Sequence, residues 1–295
     1  MKAYEFVTVD VFTDRRFGGN PLAVFPDARG LSDAEMQALA AEFNLSETTF
    51  VLPPDDPAHT ARVRIFARTY EMPFAGHPNV GTGYVLAQLG RDRDGVLRFE
   101  EMAGLVEVNV ARDSSGAVRG ATIAAPQPLS LGASVSPQDV ASAVGLDAAD
   151  VVTSGHPPMT ASTGNPFVFA EVTSAKLSGA TPDLAAFRDV LARQPALGGR
   201  FSLYLYARAG AMIRARMFAP VGGTWEDAAT GSAATTLAAL LLSLTSDASA
   251  AIDIVQGVEM GRPSLLRATA RRAGDGIRAT VGGDCVPVLR GEASV

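Results

Sequence analysis

Two short segments of this chain place an ionisable side chain beside small residues, just ahead of a long apolar run. In the first segment His77 follows Gly76, and in the second Asp227 comes shortly before Gly231 and Ser232. A helix that starts at such a point presents unpaired N–H groups and a partial positive charge, and glycine lets a ligand approach the backbone. If the two helix starts face each other, they form one cleft with an acid or a base on each side. The pattern therefore predicts a site for a small anionic substrate.

Each candidate site must be positioned by the apolar run that follows it. The runs at 78–89 and 233–244 are apolar almost all round, which is typical of helices buried inside their own domains. Most of the remaining chain alternates apolar and polar residues or is rich in β-branched residues, as in Tyr4–Phe12 and Ala61–Ala67, and this pattern predicts strands. A strongly curved sheet wrapped around a central apolar helix would accommodate both features, so we predict an α+β fold.

The same order of elements occurs in both halves of the chain. A length of 295 residues suggests two domains, and the Pro-containing segment after Ala124 is the best linker candidate. We predict a first domain at 1–125 and a second domain at 133–283, related by an approximate internal duplication of pattern. A helix start is also predicted at Ser32, where Glu35 completes a capping box.

Composition excludes several kinds of partner. The net charge of −6 argues against a nucleic acid or an anionic membrane as the main partner, and the longest apolar run is too short to span a bilayer. A single cysteine, Cys285, permits no intrachain disulfide, and the first residues show no signal peptide, so we expect a cytoplasmic protein. Three histidines without metal-ligand spacing predict no metal site.

Taken singly, the candidate residues have ordinary structural interpretations. Asp227 could cap a helix, and His77 could be a loop histidine whose ring bonds the backbone. Glu47 lies in a β-rich run, where most glutamates are solvated, and Asn20 before a proline is usual in a turn. These residues indicate a particular function only when they are considered together.

A resemblance to a known family rests on that combination. The segments that match are, in chain order, Asp10-Val11-Phe12-Thr13, Gly19-Asn20-Pro21, Ala23-Val24, Asn44-Leu45-Ser46-Glu47-Thr48, Phe50-Val51, Pro73-Phe74-Ala75-Gly76-His77-Pro78, Phe218-Ala219-Pro220, Glu226-Asp227, Ala229-Thr230-Gly231-Ser232-Ala233, Gln256-Gly257 and Met260-Gly261-Arg262-Pro263-Ser264. The chain resembles the PhzF-like isomerase family of phenazine biosynthesis, which has the diaminopimelate epimerase-like fold. One departure is Ala228, where the family often has proline.

The resemblance implies an architecture and a reaction. It implies two pseudo-symmetric domains, each a curved mixed sheet (a β-roll) around a central helix, with residues 284–295 returning to the first domain as a strand. It also implies a homodimer. The best-known reaction of the family moves a hydrogen within a dihydro-hydroxyanthranilate ring without a cofactor.

The resemblance also implies roles for residues. Glu47 becomes the general acid/base, with His77 and Asp227 as its partners across the cleft. The substrate-binding residues it implies are Asn20, Gly76, Gly231 and Ser232. A carboxylate that takes a proton from one carbon and returns it to another suits this chemistry if its pKa is lifted toward neutrality.

Two alternatives to the isomerase stay open. Relatives in this fold that racemise amino acids use two thiols, and the corresponding positions here hold Ala75 and Thr230, neither of which is a base; a two-thiol racemase is therefore excluded. An epimerase that uses Glu47 with Asp227 remains an alternative. So does a catalytically silent small-molecule binding protein, which solvent deuterium incorporation would distinguish from an enzyme.

Overall fold

The structure is a computed structural model that describes residues 2–210 and 212–295. Its chain divides into two units, the first running to Ala124 and resuming at Gly282–Val295, and the second formed by Ala125–Val281. Within the described chain, no helix is long and apolar enough to cross a membrane.

The first unit is built from a mixed sheet and two helices. Its strands are β1 (Ala3–Val11), β2 (Asn20–Phe25), β3 (Glu47–Leu52), β4 (Ala61–Ala67), β5 (Glu71–Met72), β6 (Val96–Glu101), β7 (Gly104–Arg112) and β8 (Val118–Ala124). Its helices are α1 (Asp33–Phe43) and α2 (Gly76–Gln88). Helix α1 begins with the predicted capping box, in which Ser32 accepts from the Glu35 amide and the Glu35 side chain accepts from Ser32.

The second unit contributes the remaining elements. Its strands are β9 (Ser130–Ser134), β10 (Val151–Val152), β11 (Met159–Ser162), β12 (Pro166–Val172), β13 (Leu203–Ala209), β14 (Met212–Ala219), β15 (Thr224–Asp227), β16 (Ser249–Gln256), β17 (Ser264–Ala273) and the first residues of β18 (Gly276–Ser294). Its helices are α3 (Pro137–Ala143), α4 (Ser174–Leu177), α5 (Leu184–Arg193) and α6 (Gly231–Ser243). Strand β9 pairs with β11, so part of the segment predicted as a linker is a strand.

The strands of the first unit form a closed ring. β1 pairs with β2, β2 runs parallel to β3, and the order continues through β4, β6, β7 and β8. β8 pairs with β18, and β18 pairs antiparallel with β1 from Ala3↔Ser294 to Val11↔Cys285. The parallel and antiparallel pairs make the sheet mixed, and ring closure leaves β1 and β8 with partners on both sides.

Helix α2 lies inside this ring. Every residue from Gly76 to Ala87 is buried, and the helix contacts β1, β2, β3, β7 and β8. The packing is close because glycine faces the sheet: a Cβ on Gly81 would lie 2.6 Å from the Leu22 side chain, and one on Gly83 would lie 2.5 Å from Val108. The predicted sheet around a central apolar helix is confirmed.

The second unit also packs a central helix against a mixed sheet. Its mixed sheet has parallel pairs at β12–β13 and β14–β16 and antiparallel pairs elsewhere, and α6 packs against β16, β17, β11 and β12. The α6 hydroxyls of Thr235 and Thr236 are buried, and both bond Thr163 at 3.0 and 2.9 Å. These two threonines are thus accommodated by a partner in the same unit. The α+β fold class predicted from the sequence is confirmed.

Two element boundaries differ from the sequence prediction. Helices α2 and α6 begin at Gly76 and Gly231, two residues ahead of the predicted starts at 78 and 233. Glycine, histidine and proline are poor helix formers, but the first turn needs no intrahelical N–H bonds and tolerates them. The residues predicted to lie in loops therefore lie in the first turns of the two central helices.

The last strand is longer than predicted. The returning strand was predicted at 284–295, whereas β18 starts at Gly276 and runs without a break for 19 residues. Pro287 lies opposite Val9, where the pairing register shifts between Thr8 and Val9. An irregularity of this kind accommodates a proline, which has no N–H to give to the ladder.

Candidate active site

Glu47 and His77 meet in the first unit. Glu47 is the first residue of β3, and His77 is the second residue of α2. His77 Nε2 lies 3.4 Å from Glu47 Oε2, and the exposed fractions of the two side chains are only 6% and 17%. This separation exceeds that of a normal charge-assisted hydrogen bond, about 2.7–2.9 Å, so the groups are adjacent without being locked in a tight ion pair.

Asn20 and Ser46 orient the histidine. Asn20 begins β2, and its side-chain Nδ2 lies 3.5 Å from His77 Nδ1. The Ser46 hydroxyl donates to Asn20 Oδ1 at 3.3 Å, which fixes the amide so that its NH2 group faces the imidazole. An amide NH2 only donates, so Nδ1 acts as the acceptor and the proton of a neutral His77 resides on Nε2, facing Glu47.

The environment of Glu47 alters its acidity. Burial raises the pKa of the Glu47 carboxyl, and the Ser46 hydroxyl and the positive charge of Arg68 oppose that rise without cancelling it. A carboxylate in water is a weak base, and desolvation makes it stronger. Glu47 therefore has the property that proton transfer from carbon requires.

The start of α2 lacks a side-chain cap. Its N-cap residue is Ala75, in extended conformation, and its first turn contains no acidic residue. The Asn79 side chain instead donates to the Ala75 carbonyl at 3.0 Å. Such a helix start favours an anionic group, because its dipole and N–H groups are not offset by a capping carboxylate.

Asp227, Gly231 and Ser232 lie in the second unit. Asp227 ends β15, where it pairs with Met217, and its Oδ2 accepts from the Thr230 hydroxyl at 2.7 Å. Thr230 is the N-cap of α6 but makes no side-chain cap bond, so this helix start resembles that of α2. The Ser232 carbonyl accepts from hydroxyls within its own helix, and Gly231 and Ser232 together form the first turn.

A buried glutamine holds the segment that carries Asp227. Gln256 is fully buried; its Nε2 donates to the Asp227 carbonyl and to Thr230 Oγ1, both at 2.9 Å. Its Oε1 accepts from Tyr204 at 3.1 Å and from the Thr230 amide at 3.2 Å. The Gln256 side-chain amide thus makes all four of its possible hydrogen bonds, and these hold the segment from Asp227 to Thr230 in place. The sequence indicated Gln256 only as part of a family motif and not as a support.

Gly257, the residue after Gln256, must be a glycine because other backbone atoms pack closely against it. Gly257 has a φ of +75°, and a Cβ there would lie 2.5 Å from the Arg262 carbonyl and 2.6 Å from the Ala228 carbonyl. Ser264 also donates to the Ala228 carbonyl at 2.8 Å. The Asp227 segment therefore depends on residues from β16 and β17 that are distant in sequence.

Glu226 has a different task from its neighbour Asp227. It binds Arg216 through two bonds of 2.8 Å, and both side chains are nearly buried. Arg216 also donates to the carbonyls of Leu177, Ser178 and Ala180. Sequence reasoning missed Arg216, because nothing in the local pattern of β14 distinguishes it from Arg214 two residues earlier. The Glu226–Arg216 pair therefore has a structural role. Asp227 is the carboxylate of this segment for which a chemical role can be proposed.

The structure shows no sign of metal or thiol chemistry in its described parts. Among residues 2–210 and 212–295, no three or more histidine, cysteine, aspartate or glutamate side chains are grouped to hold a metal ion. Cys285 is buried in β18 opposite Val11, and burial raises the pKa of its thiol well above the usual range. A buried thiol of this kind is a poor nucleophile.

Comparison with known proteins identifies the family. The family model described as "Phenazine biosynthesis-like protein" (PhzC-PhzF) matches residues 9–291. The chain belongs to this family. An uncharacterized isomerase of Mesorhizobium japonicum is 38% identical to it, over 99% of each chain. The trans-2,3-dihydro-3-hydroxyanthranilate isomerase of Pseudomonas aeruginosa is also 38% identical, over 98% of this chain and 99% of the relative.

A solved structure of this family supports the same assignment at the level of the fold. The crystal structure of a PhzF-family phenazine biosynthesis protein from Bacillus anthracis matches with a TM-score of 0.88, 24% identity and complete coverage of both chains. The family model and the isomerase relatives show that the chain is an enzyme, an isomerase of the PhzF type. The resemblance seen in the sequence is confirmed.

Proposed function

We propose that this PhzF-family isomerase moves a proton between two carbons of a small carboxylate-bearing substrate, cyclic ones included, and needs no cofactor. The observation that carries the proposal is the nearly buried Glu47 carboxyl, whose pKa is raised by burial and which lies 3.4 Å from His77 Nε2. A base of this strength in a dry position is the group that removal of a proton from carbon demands.

The proposed reaction has two proton transfers. Glu47 accepts a proton from a substrate carbon, so a C–H bond breaks, an O–H bond forms, and the electron pair spreads into the neighbouring unsaturated system. The same carboxyl then returns the proton to a different carbon, and the double bond moves. The hydrogen bond from Asn20 to Nδ1 of His77 leaves the imidazole proton on Nε2. From Nε2, His77 donates to the developing negative charge or to Glu47.

Substrate binding is proposed to use backbone and amide donors. In the first unit the uncapped start of α2 at Gly76 is suited to a carboxylate, and Asn20 adds an amide; in the second unit the uncapped start of α6 at Gly231 and Ser232 is suited to a carboxylate as well. Asp227 is proposed as a second acid/base group. Its carboxylate already accepts from Thr230, which keeps it oriented.

Solvent deuterium incorporation tests the proposal. Two relatives from Pseudomonas are trans-2,3-dihydro-3-hydroxyanthranilate isomerases, so this compound is the first substrate to test. Other cyclic amino and hydroxy acids follow it. We expect the wild-type enzyme to introduce deuterium at carbon and Glu47→Gln to lose this by a factor of about 10²–10⁴, since glutamine keeps the shape but not the basic oxygen.

The matched control is Glu107→Gln, an exposed glutamate of the same unit that pairs with Arg98. It should exchange deuterium at the wild-type rate. Tight binding of these acids with no exchange would instead identify a binding protein, and an unchanged rate in Glu47→Gln would remove Glu47 from the mechanism. Exchange at a single stereocentre without movement of a double bond would favour the epimerase alternative.

A further inference from the structure

One buried histidine holds an exposed segment of the second unit. Residues 153–157 follow β10, and all of them except His156 are exposed, whereas His156 is only 5% exposed. In the parts of the chain that the structure describes, the hydrogen bond that joins 154–157 to the rest of the unit comes from the His156 ring. The attachment of this segment therefore depends on one titratable side chain.

The His156 ring begins a chain of four hydrogen bonds that ends at the protein surface. Its Nδ1 lies 2.7 Å from the Pro157 carbonyl oxygen, and its Nε2 lies 2.8 Å from the Tyr206 hydroxyl oxygen. The Tyr206 hydroxyl lies 3.0 Å from Glu171 Oε2, and Arg208 Nε donates to Glu171 Oε1 at 3.1 Å. Tyr206 is fully buried, while the Arg208 side chain is 54% exposed.

The number of protons in this chain decides whether all four bonds can exist. A carbonyl oxygen only accepts, so the proton between His156 and Pro157 is on Nδ1. Burial, and then the negative charge of Glu171, raise the pKa of the Tyr206 hydroxyl well above its usual range against an opposing effect of Arg208, so the hydroxyl keeps its one proton. That single proton cannot serve both the His156 ring and the Glu171 carboxylate.

One additional proton completes the chain. On Glu171 it would make a neutral acid that donates to Tyr206, whose hydroxyl would then donate to a neutral ring. The Arg208 guanidinium, 3.1 Å from Glu171, favours the ionised carboxylate instead. The additional proton therefore belongs on Nε2 of His156, and a positive imidazolium and a positive guanidinium then lie on either side of one carboxylate.

Other charged side chains of the neighbouring elements are paired or lie on the opposite face. Asp150, just before β10, pairs with Lys176 of α4 at 3.2 Å. Strands β9 and β11 and helix α6 contain no charged residue. On β14 an alanine lies opposite Tyr206, so Arg214 and Arg216 point to the other face of the sheet. The carboxylate within the chain is thus the group that balances a charge on the imidazole.

We infer that His156 is a pH-dependent anchor of the segment 153–157. With both ring nitrogens protonated, it completes the four bonds and holds the segment against β13. When Nε2 loses its proton, the Tyr206 hydroxyl faces two acceptors with one proton, one bond is lost, and the segment opens. Histidine ordinarily changes charge at about pH 6.5, so the transition falls in the physiological range. Opening of this segment does not depend on the reaction proposed above.

The first experiment measures the charge of His156 by NMR. The chain has three histidines, so isotopically labelled histidine gives few ring signals, and the variant His156→Gln identifies those of His156. We expect protons on both ring nitrogens at about pH 5 and on Nδ1 alone at about pH 8.5. A ring that carries a single proton at both pH values would overturn the inference.

Glu171→Gln tests what holds that charge. Glutamine removes the negative charge and has one oxygen instead of two; with that oxygen on Arg208, its NH2 group donates to Tyr206, whose hydroxyl then donates to a neutral His156. The pH at which half of His156 is charged should fall by about one unit, a tenfold loss of proton affinity.

The matched control is Glu107→Gln, an exposed glutamate of the first unit, which should leave that pH unchanged. Tyr206→Phe breaks the chain and should lower it as well. If Tyr206→Phe does not fold, Glu171→Gln decides alone, and an unchanged half-titration pH in that variant would overturn the inference.

The last experiment measures the opening of the segment. The natural Cys285 is buried, so a nitroxide attached to Ser154→Cys, at an exposed position, reports on this segment alone. We expect its mobility to rise as His156 loses its charge, and the rise to disappear when His156→Gln is added. The same label on Ser115→Cys, in an exposed turn of the first unit, should show no such trend. Mobility at Ser154→Cys that is constant while NMR shows the change of charge would overturn the anchoring role.

Discussion

Three glutamates of the first unit show how position sets acidity. Burial alone would raise the pKa of Glu100, but the amides of Asp55 and Asp56 and the ring of His59 outweigh it and hold it at about 2. At Glu101, the next residue, burial outweighs the one opposing hydrogen bond, from the Asn79 side chain, and raises the pKa to about 8. Glu47 is raised by burial as well. Residue type therefore says little about a carboxyl's charge until its donors are known.

The raised pKa of Glu47 predicts the acid limb of the rate profile. Glu47 must be ionised to accept a proton from carbon, so activity falls when acidification protonates it. Because burial raises its pKa, we expect kcat/KM to begin to fall at a pH above the ordinary glutamate value of 4.5. A profile of kcat/KM against pH measures this. A midpoint at or below 4.5 would show that another group, and not a desolvated Glu47, controls the reaction.

At the scale of elements, the strands around Asp227 separate the structural role of Glu226 from the chemical role proposed for Asp227. Glu226 and Asp227 are adjacent in β15, yet the first is bound to the nearly buried Arg216 and the second to the hydroxyl of Thr230. Adjacent residues of a strand point to opposite faces, which is why the two carboxylates meet different partners. Because of this alternation, the Glu226 and Asp227 carboxylates lie in different environments.

The division predicts opposite effects for two neighbouring substitutions. Glu226→Gln leaves the Arg216 charge buried without its partner and should lower the free energy of unfolding by about 3 kcal/mol. Asp227→Asn keeps an acceptor for Thr230 and should change stability by about 1 kcal/mol or less, while lowering the rate. Denaturant unfolding and deuterium exchange of both variants provide the measurement. A stable Glu226→Gln together with an unstable Asp227→Asn would reverse the assignment.

The sequence predicted elements better than it predicted contacts. The central helices were recognisable because their apolar character is local, and the start of α1 was recognisable because Ser32 and Glu35 are three residues apart. The starts of α2 and α6 were placed late because Gly76 and Gly231 read as loop residues.

The support of the candidate site could not be predicted in the same way. Arg216 meets Glu226, and Gln256 meets Asp227, only because strands distant in sequence become neighbours in the sheet. His77 and Asp227 were identified from the two small-residue segments and Glu47 through the family resemblance, and the catalytic roles of all three stay predictions.

At the scale of the whole molecule, oligomeric state is the property that one chain does not reveal. The family resemblance implies a homodimer. We therefore expect light scattering to give twice the chain mass of 30.6 kDa, independent of concentration in the micromolar range. The control is the same measurement across a dilution series. A mass of one chain at every concentration would contradict the expectation.

The strand order of the first unit constrains how the protein is made. Ring closure there needs the β18 residues from 282 onward, which leave the ribosome after all of Ala125–Val281. Domains usually fold during synthesis in the order in which they emerge, at about 5–20 residues per second. Here the unit that emerges first is completed last, and until then β1 and β8 each expose an unpaired edge to other nascent chains. The growing polypeptide therefore needs protection from aggregation for the whole time that its second unit is being translated.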